Sequence, residues 1–156
     1  MSRKIVSACL AGIQCRYDQK HQKADDILEL VRCGEALPVC PEQMGGLSTP
    51  RPPAEIVGGD GEDVLDGTAK VIDIHGNDVT KAFVQGAYET LKIAKEIGAT
   101  EAILKERSPS CGSCTIYNGE FKGIKKAGVG VTAALLRRHQ IQVRSEEALF
   151  DQNRNK

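Results

Sequence analysis

The chain has 156 residues, enough for one domain spanning 1–156 with a sizeable core and no need of disulfides. Hydrophobic residues make up 40% and charged residues 27%, ordinary globular usage that excludes a fibre or a disordered segment. The 21 basic and 21 acidic residues cancel, and Lys or Arg never run beyond two in succession, which argues against a general grip on a nucleic-acid backbone.

The opening Met1-Ser2-Arg3-Lys4-Ile5 leads into an apolar segment too short for a signal-peptide core, and no later span approaches the roughly 18 apolar residues of a membrane helix. The expected location is the cytoplasm, with no membrane partner. In that reducing compartment six cysteines do not suggest a disulfide framework. Metal ligation, thiol chemistry and plain burial remain.

Lys4-Ile5-Val6 reads as a short buried strand, followed by Ser7-Ala8-Cys9. The next stretch, Leu10 to His21, is polar and aperiodic. Its Arg16, Tyr17, Asp18 and Lys20 offer cations, an aromatic face and a carboxylate for a substrate, although a plain solvated loop would look similar. Ala24 to Arg32 predicts a helix with the apolar stripe Ile27, Leu28, Leu30 and Val31, closed by Gly34. Cys33, in its last turn, is expected to be buried as a small hydrophobe.

A second strand, Ala36 to Val39, runs into Cys40-Pro41-Glu42. The segment from Pro38 to Ile56 holds five of the six prolines, which predicts a rigid loop that holds side chains in place. Residues 60 to 78 read as a β-hairpin, with Asp66-Gly67 as the turn between Val64-Leu65 and Val71 to Ile74. A second turn follows at His75-Gly76-Asn77, with His75 exposed. A helix capped by Asp78 should run to Gly98 and bury Phe83, Ala87, Leu91 and Ala94.

A third strand, Ala102-Ile103-Leu104, leads to Ser108-Pro109-Ser110-Cys111-Gly112. Gly128 to Ala133 superficially resembles a dinucleotide-binding glycine motif, but no strand is predicted directly before it, so it reads as the start of a close-packed helix ending at Arg137-Arg138-His139. Ile141 to Val143 gives a last strand, and Glu146 to Phe150 a terminal helix. The order of elements predicts an α/β three-layer sandwich, mainly parallel, with a small β-hairpin insertion.

Cys9, Cys40 and Cys111, 31 and 71 residues apart, each follow a predicted strand. Ligands gather outside the carboxyl ends of parallel strands, so the three can converge. Cys111-Gly112-Ser113-Cys114 alone is a weak thiol-disulfide motif, because β-prone Thr115-Ile116-Tyr117 follows it where a helix would lower the thiol pKa. Structural zinc normally draws on two local ligand pairs, and this chain has one. Thiolates from three separate loops suit an iron-sulfur cluster with one iron left open, for which a soft sulfur donor is a good ligand. A non-catalytic zinc or iron-sulfur protein and a thiol-disulfide oxidoreductase using Cys111 and Cys114 stay as alternatives.

Taken together, Val6-Ser7-Ala8-Cys9-Leu10, Cys15-Arg16-Tyr17-Asp18, Pro38-Val39-Cys40-Pro41-Glu42, Gly45 to Glu55 and Ser108-Pro109-Ser110-Cys111-Gly112 resemble the thiouracil desulfidase family in a small single-domain form. The resemblance covers nearly the whole chain. It implies a Rossmann-like domain with a 4Fe-4S cluster on Cys9, Cys40 and Cys111. It further implies hydrolytic, non-redox removal of sulfur from a thiolated pyrimidine, namely thiouracil, thiouridine or its monophosphate. By the same resemblance Glu42 is the catalytic acid/base, and Ser110 or Ser108 takes the place of a serine near the substrate. Cys15 and Cys114 are expected to be spectators or protective thiols close to the cluster. One departure is Gln19, where the family's Arg-Tyr-Asp is followed by glycine. Arg16, Lys20 and Arg51 are the cations nearest the site in sequence, and a guanidinium binds phosphate bidentately.

Overall fold

The computed structural model describes residues 3–11 and 25–146. Four parallel strands form the central sheet: β1 (Lys4–Ser7), β2 (Ala36–Val39), β5 (Glu101–Leu104) and β8 (Gln142–Ser145), in the order β2-β1-β5-β8. Between β1 and β2 lies α1 (Asp25–Arg32). Between β2 and β5 come α2 (Pro41–Met44), β3 (Ala54–Val57), α3 (Gly61–Leu65), β4 (Lys70–Asp73) and α4 (Thr80–Glu96). Between β5 and β8 come β6 (Thr115–Tyr117), β7 (Lys125–Ala127) and α5 (Val131–Arg138).

Alternation along the strands sorts their side chains into two layers. Ile5, Ala102 and Leu104 join Phe83, Ala87 and Leu91 of α4 and Ala133, Leu135 and Leu136 of α5 in the larger cluster. Val6 and Ile103 point the other way and pack with Ile27 of α1. This period of two between helical layers makes the three-layer sandwich. All four residues expected on the buried face of α4 are buried.

Lys4 lies opposite both Ala36 and Glu101, so β1, β2 and β5 start in register. Equal lengths bring Ser7, Val39 and Leu104 to the same sheet edge. The strand order reverses between β1 and β5, and ligands bind at such a switch point.

The expected hairpin over 60–78 does not form. Val64 and Leu65 lie in α3, and β4 pairs antiparallel with β3 instead. The cause is a capping box: Asp60 accepts hydrogen bonds from the Glu62 and Asp63 amides, while Asp63 accepts one from the Asp60 amide. Asp66-Gly67 then ends the helix, with Gly67 at φ +83°. A second antiparallel pair, β6–β7, completes the β insertions. The His75-Gly76-Asn77 turn is present and His75 is exposed. The expected terminal helix lies outside the described residues apart from Glu146.

Cys33 is exposed rather than buried. It follows the end of α1, beyond the buried stripe, and its thiol bonds Glu29. The hydrogen bond from Cys33 to the Glu29 carboxylate, and then that carboxylate's charge, raise its pKa. No helix among the described residues is long and apolar enough to cross a membrane.

Candidate functional site

A cavity of about 690 Å³ opens at the strand ends, and Cys9, Cys40 and Cys111 all line it. Cys9 enters from a 3-10 turn, Ala8–Ala11, directly after β1, and is 7% exposed. Cys40 caps α2, where Pro41 takes the first helical position with its fixed φ and its missing N–H. The one-turn α2 thus replaces part of the rigid loop expected there. It seats against α4 through two glycines: a Cβ on Gly86 would strike the Pro41 carbonyl, and one on Gly45 would strike that of Ala82. This backbone contact fixes Cys40, Pro41 and Glu42 on the sheet edge.

The Cys111 segment is anchored by α5. The amides of Gly130, Val131 and Thr132 donate to the carbonyls of Gly112, Pro109 and Ser110, each at 2.8 Å. Glycine is required at 130, because a Cβ would run into the Ser110 carbonyl. β7 does directly precede the Gly128–Ala133 stretch, contrary to expectation. It belongs to an antiparallel ribbon, and the first amides of α5 hold a protein loop, so a dinucleotide site remains excluded.

The Ser108 hydroxyl accepts from the Ser110 and Cys111 amides, both at 3.1 Å, and so shapes this loop. Ser110 is buried, with its hydroxyl 2.7 Å from that of Thr132. Burial pushes the Cys111 thiol up to about 12. The hydroxyls of Ser7 and Ser110 pull the other way, and the charges of Glu42 and Cys40 push further up. Ser7 accepts the Lys105 amide at 2.9 Å, which leaves its hydroxyl proton for the sulfur.

Glu42 lines the same cavity and pairs with Arg51. Arg51 also donates to the Ser48 carbonyl at 3.2 Å and the Thr49 hydroxyl at 3.0 Å. Among the residues expected at the site, the fold therefore brings together Cys9, Cys40, Cys111, Glu42, Arg51, Ser108 and Ser110. Arg16, Tyr17, Asp18, Lys20 and Cys15 lie outside the described residues. Cys114 is exposed and not among the residues lining the cavity.

Among the described residues, three buried carboxylates line the cavity beyond the residues expected there: Glu55, Asp73 and Glu106. Glu106, 5% exposed, accepts the amides of Ser113, Cys114 and Thr115 at 2.8, 3.1 and 3.0 Å and the Ser113 hydroxyl at 2.6 Å. Burial alone would push it up, but the Ser113 hydroxyl and the Cys114, Thr115 and Arg107 amides outweigh that and hold its pKa below the usual carboxylate value. Glu55 similarly accepts the amides of Gly119 and Phe121. The only sequence signal was a carboxylate next to a buried strand.

The donor set fits an iron-sulfur group better than a single ion. Three soft thiols converge from three loops, each free of disulfides. Among the described residues no three His, Cys, Asp or Glu side chains are close enough for one ion, whose ligands lie about 2.0–2.3 Å from it. A cluster of several irons spans more widely spaced thiolates.

The sequence matches the 2-thiouracil desulfurase family over residues 5–148. Protein YbbK of Bacillus subtilis (strain 168), itself uncharacterized, is 55% identical over 147 residues, covering 94% of this chain and 97% of that one. A solved structure of the 4Fe-4S-dependent thiouracil desulfidase TudS superposes with a TM-score of 0.85 at 46% identity, covering 97% of this chain and 95% of the other. A family match across almost the entire sequence, joined to a shared fold, leads to one assignment: the chain belongs to the 2-thiouracil desulfurase family.

Proposed function

We propose that this protein is a 4Fe-4S-dependent thiouracil desulfidase, with Cys9, Cys40 and Cys111 as the cluster ligands. The observation that carries this reading is the convergence of these three thiols with Glu42 in one cavity at the switch point of the sheet. Cys9, Cys40 and Cys111 would hold the cluster, which would supply Lewis acidity toward a thiocarbonyl sulfur.

Glu42 acts as general acid/base, taking a proton from water as its oxygen bonds the ring carbon. The carbon–sulfur bond breaks, and the sulfur leaves as sulfide with the protons that water supplied. One water is consumed, the pyrimidine carbonyl replaces the thiocarbonyl, and no electrons are exchanged. Arg51 orients the Glu42 carboxylate. Ser108 holds the Cys111 amide, Ser110 bonds the Cys111 thiol, and both line the cavity where the substrate would sit.

Thiouridine and its monophosphate are included as substrates, with Arg16, Lys20 and Arg51 as the cationic contacts for a phosphate and Tyr17 and Asp18 as further substrate contacts. Such a cluster requires a compartment that keeps thiols reduced, so the reading includes the cytoplasm. Anaerobic sulfide release from 2-thiouracil and thiouridine monophosphate tests it. Sulfide from either, dependent on reconstitution, supports the desulfidase; sulfide from neither refutes it.

A further inference from the structure

The sequence holds only three Tyr and three Phe. Four of these, Phe83, Tyr88, Tyr117 and Phe121, are described, and all but Tyr88 line the thiol cavity. Tyr88 stands 54% exposed on α4. Phe83 is 2% exposed and packed in the core, so its ring has little face to offer. Tyr117 and Phe121 are half-buried. Both come from the β6–β7 ribbon, one at the end of β6 and the other in the connecting turn.

That turn is built with care. The buried Glu55 carboxylate accepts the Gly119 amide at 2.9 Å and the Phe121 amide at 3.3 Å. The Asn118 amide closes the turn on the Ile124 carbonyl at 2.9 Å. Gly119, at φ +93°, packs so tightly on β3 that a Cβ would lie 2.7 Å from the Ile56 oxygen. Phe121 itself has φ +58°, a left-handed conformation that bulky side chains rarely adopt. A residue kept there by its surroundings, at the wall of a cavity, points to a role for its side chain.

Resting on the desulfidase reading above, we propose that Tyr117 and Phe121 form a stacking wall for the planar ring of the substrate. The ribbon then selects cyclic, aromatic thiocarbonyl compounds and sets the ring face presented to the thiols. Aromatic side chains stack on bases without demanding a particular hydrogen-bond pattern, so one wall serves thiouracil with or without its sugar. The buried Glu55 acts through the turn as a positioning residue.

The test uses the anaerobically reconstituted holoenzyme with Tyr117→Leu and Phe121→Leu, which keep apolar bulk and remove the π face. Two readouts are taken: KM and kcat for 2-thiouracil, and the dissociation constant of uracil by calorimetry. The proposal expects both KM and the uracil constant to rise roughly tenfold in each variant, with a much smaller change in kcat and an undiminished iron content. Unchanged uracil and thiouracil binding in Tyr117→Leu or Phe121→Leu overturns it. If Phe121→Leu fails to fold, Tyr117→Leu alone decides. If the wild type binds uracil but releases no sulfide, the desulfidase reading fails while the uracil constants still decide the stacking wall. A wild type that binds no uracil overturns the wall.

Discussion

Arg51 reaches nine residues back along the proline-rich segment to pair with Glu42, and the two side chains are only 7% and 16% exposed. Removing one partner from a pair so withdrawn from water leaves an uncompensated charge, at a cost of about 3–5 kcal/mol. Arg51→Ala should therefore lower the melting temperature of the apoprotein and reduce turnover of the base, and should weaken the nucleotide further through the lost phosphate contact. Arg51→Lys should recover part of both, because a single ammonium keeps the charge but lacks the two-pronged fork that also engages Ser48 and Thr49. A KM increase confined to the nucleotide would assign Arg51 to phosphate alone and remove its orienting role.

Glu42→Gln separates chemistry from assembly. The variant should lose some stability through its unpaired Arg51 but retain iron and substrate binding, while kcat falls by roughly 10² or more, a typical contribution from general acid-base catalysis. Near-normal turnover would take Glu42 out of the reaction.

The seat of α2 on α4 gives a remote test of site geometry. Gly86→Ala places a Cβ against the Pro41 carbonyl, one residue from Cys40 and Glu42. Overpacking at such a contact costs about 1–3 kcal/mol and shifts the backbone. Gly86→Ala should lose stability and bind less iron on reconstitution. Gly34→Ala is the control for cluster loading, because no atom lies within 4 Å of where a Cβ would stand there, although its φ of +74° makes it mildly destabilising.

Glu106 predicts a pH dependence of folding. Its pKa is lowered in the folded protein, so its contribution is present above the ordinary carboxylate value and is lost as pH falls through the lowered one. Acid denaturation of the apoprotein followed by circular dichroism should show wild type losing stability on acidification below about pH 4.5. Glu106→Leu should start less stable by about 3 kcal/mol, with the Ser113, Cys114 and Thr115 amides unsatisfied, and should show a shallower acid dependence. An unchanged acid slope would contradict this role.

What the sequence made legible follows from which interactions are local. The strands around Ile5, Val39 and Ile103 declare themselves through short branched aliphatic runs, and the cysteine after each points to the sheet edge where it is found. α3 was hidden because Asp66-Gly67 signals a hairpin turn and a helix end equally well, and the Asp60/Asp63 capping box that decides between them carries a weaker signal. Glu106 and Tyr117 belong to the site only through tertiary contact. No spacing rule links Glu106 to the Ser113–Thr115 amides, and Tyr117 joins the cavity through a ribbon whose turn packs on β3 at Gly119. The Arg51–Glu42 pair likewise depends on how the proline-rich segment bends, which composition marks as rigid without giving its path.

The proposed role of Cys9, Cys40 and Cys111 is to hold the cluster on which desulfuration depends. Its most direct test is iron and sulfide content per chain, measured with sulfide release from 2-thiouracil, after anaerobic reconstitution of wild type, Cys9→Ser, Cys40→Ser, Cys111→Ser and Cys114→Ser. The account predicts about four irons per chain and sulfide release for wild type and Cys114→Ser, with both properties lost in each of the other three. Full iron and activity in Cys9→Ser, Cys40→Ser or Cys111→Ser, or loss of activity in Cys114→Ser with the cluster intact, would contradict it.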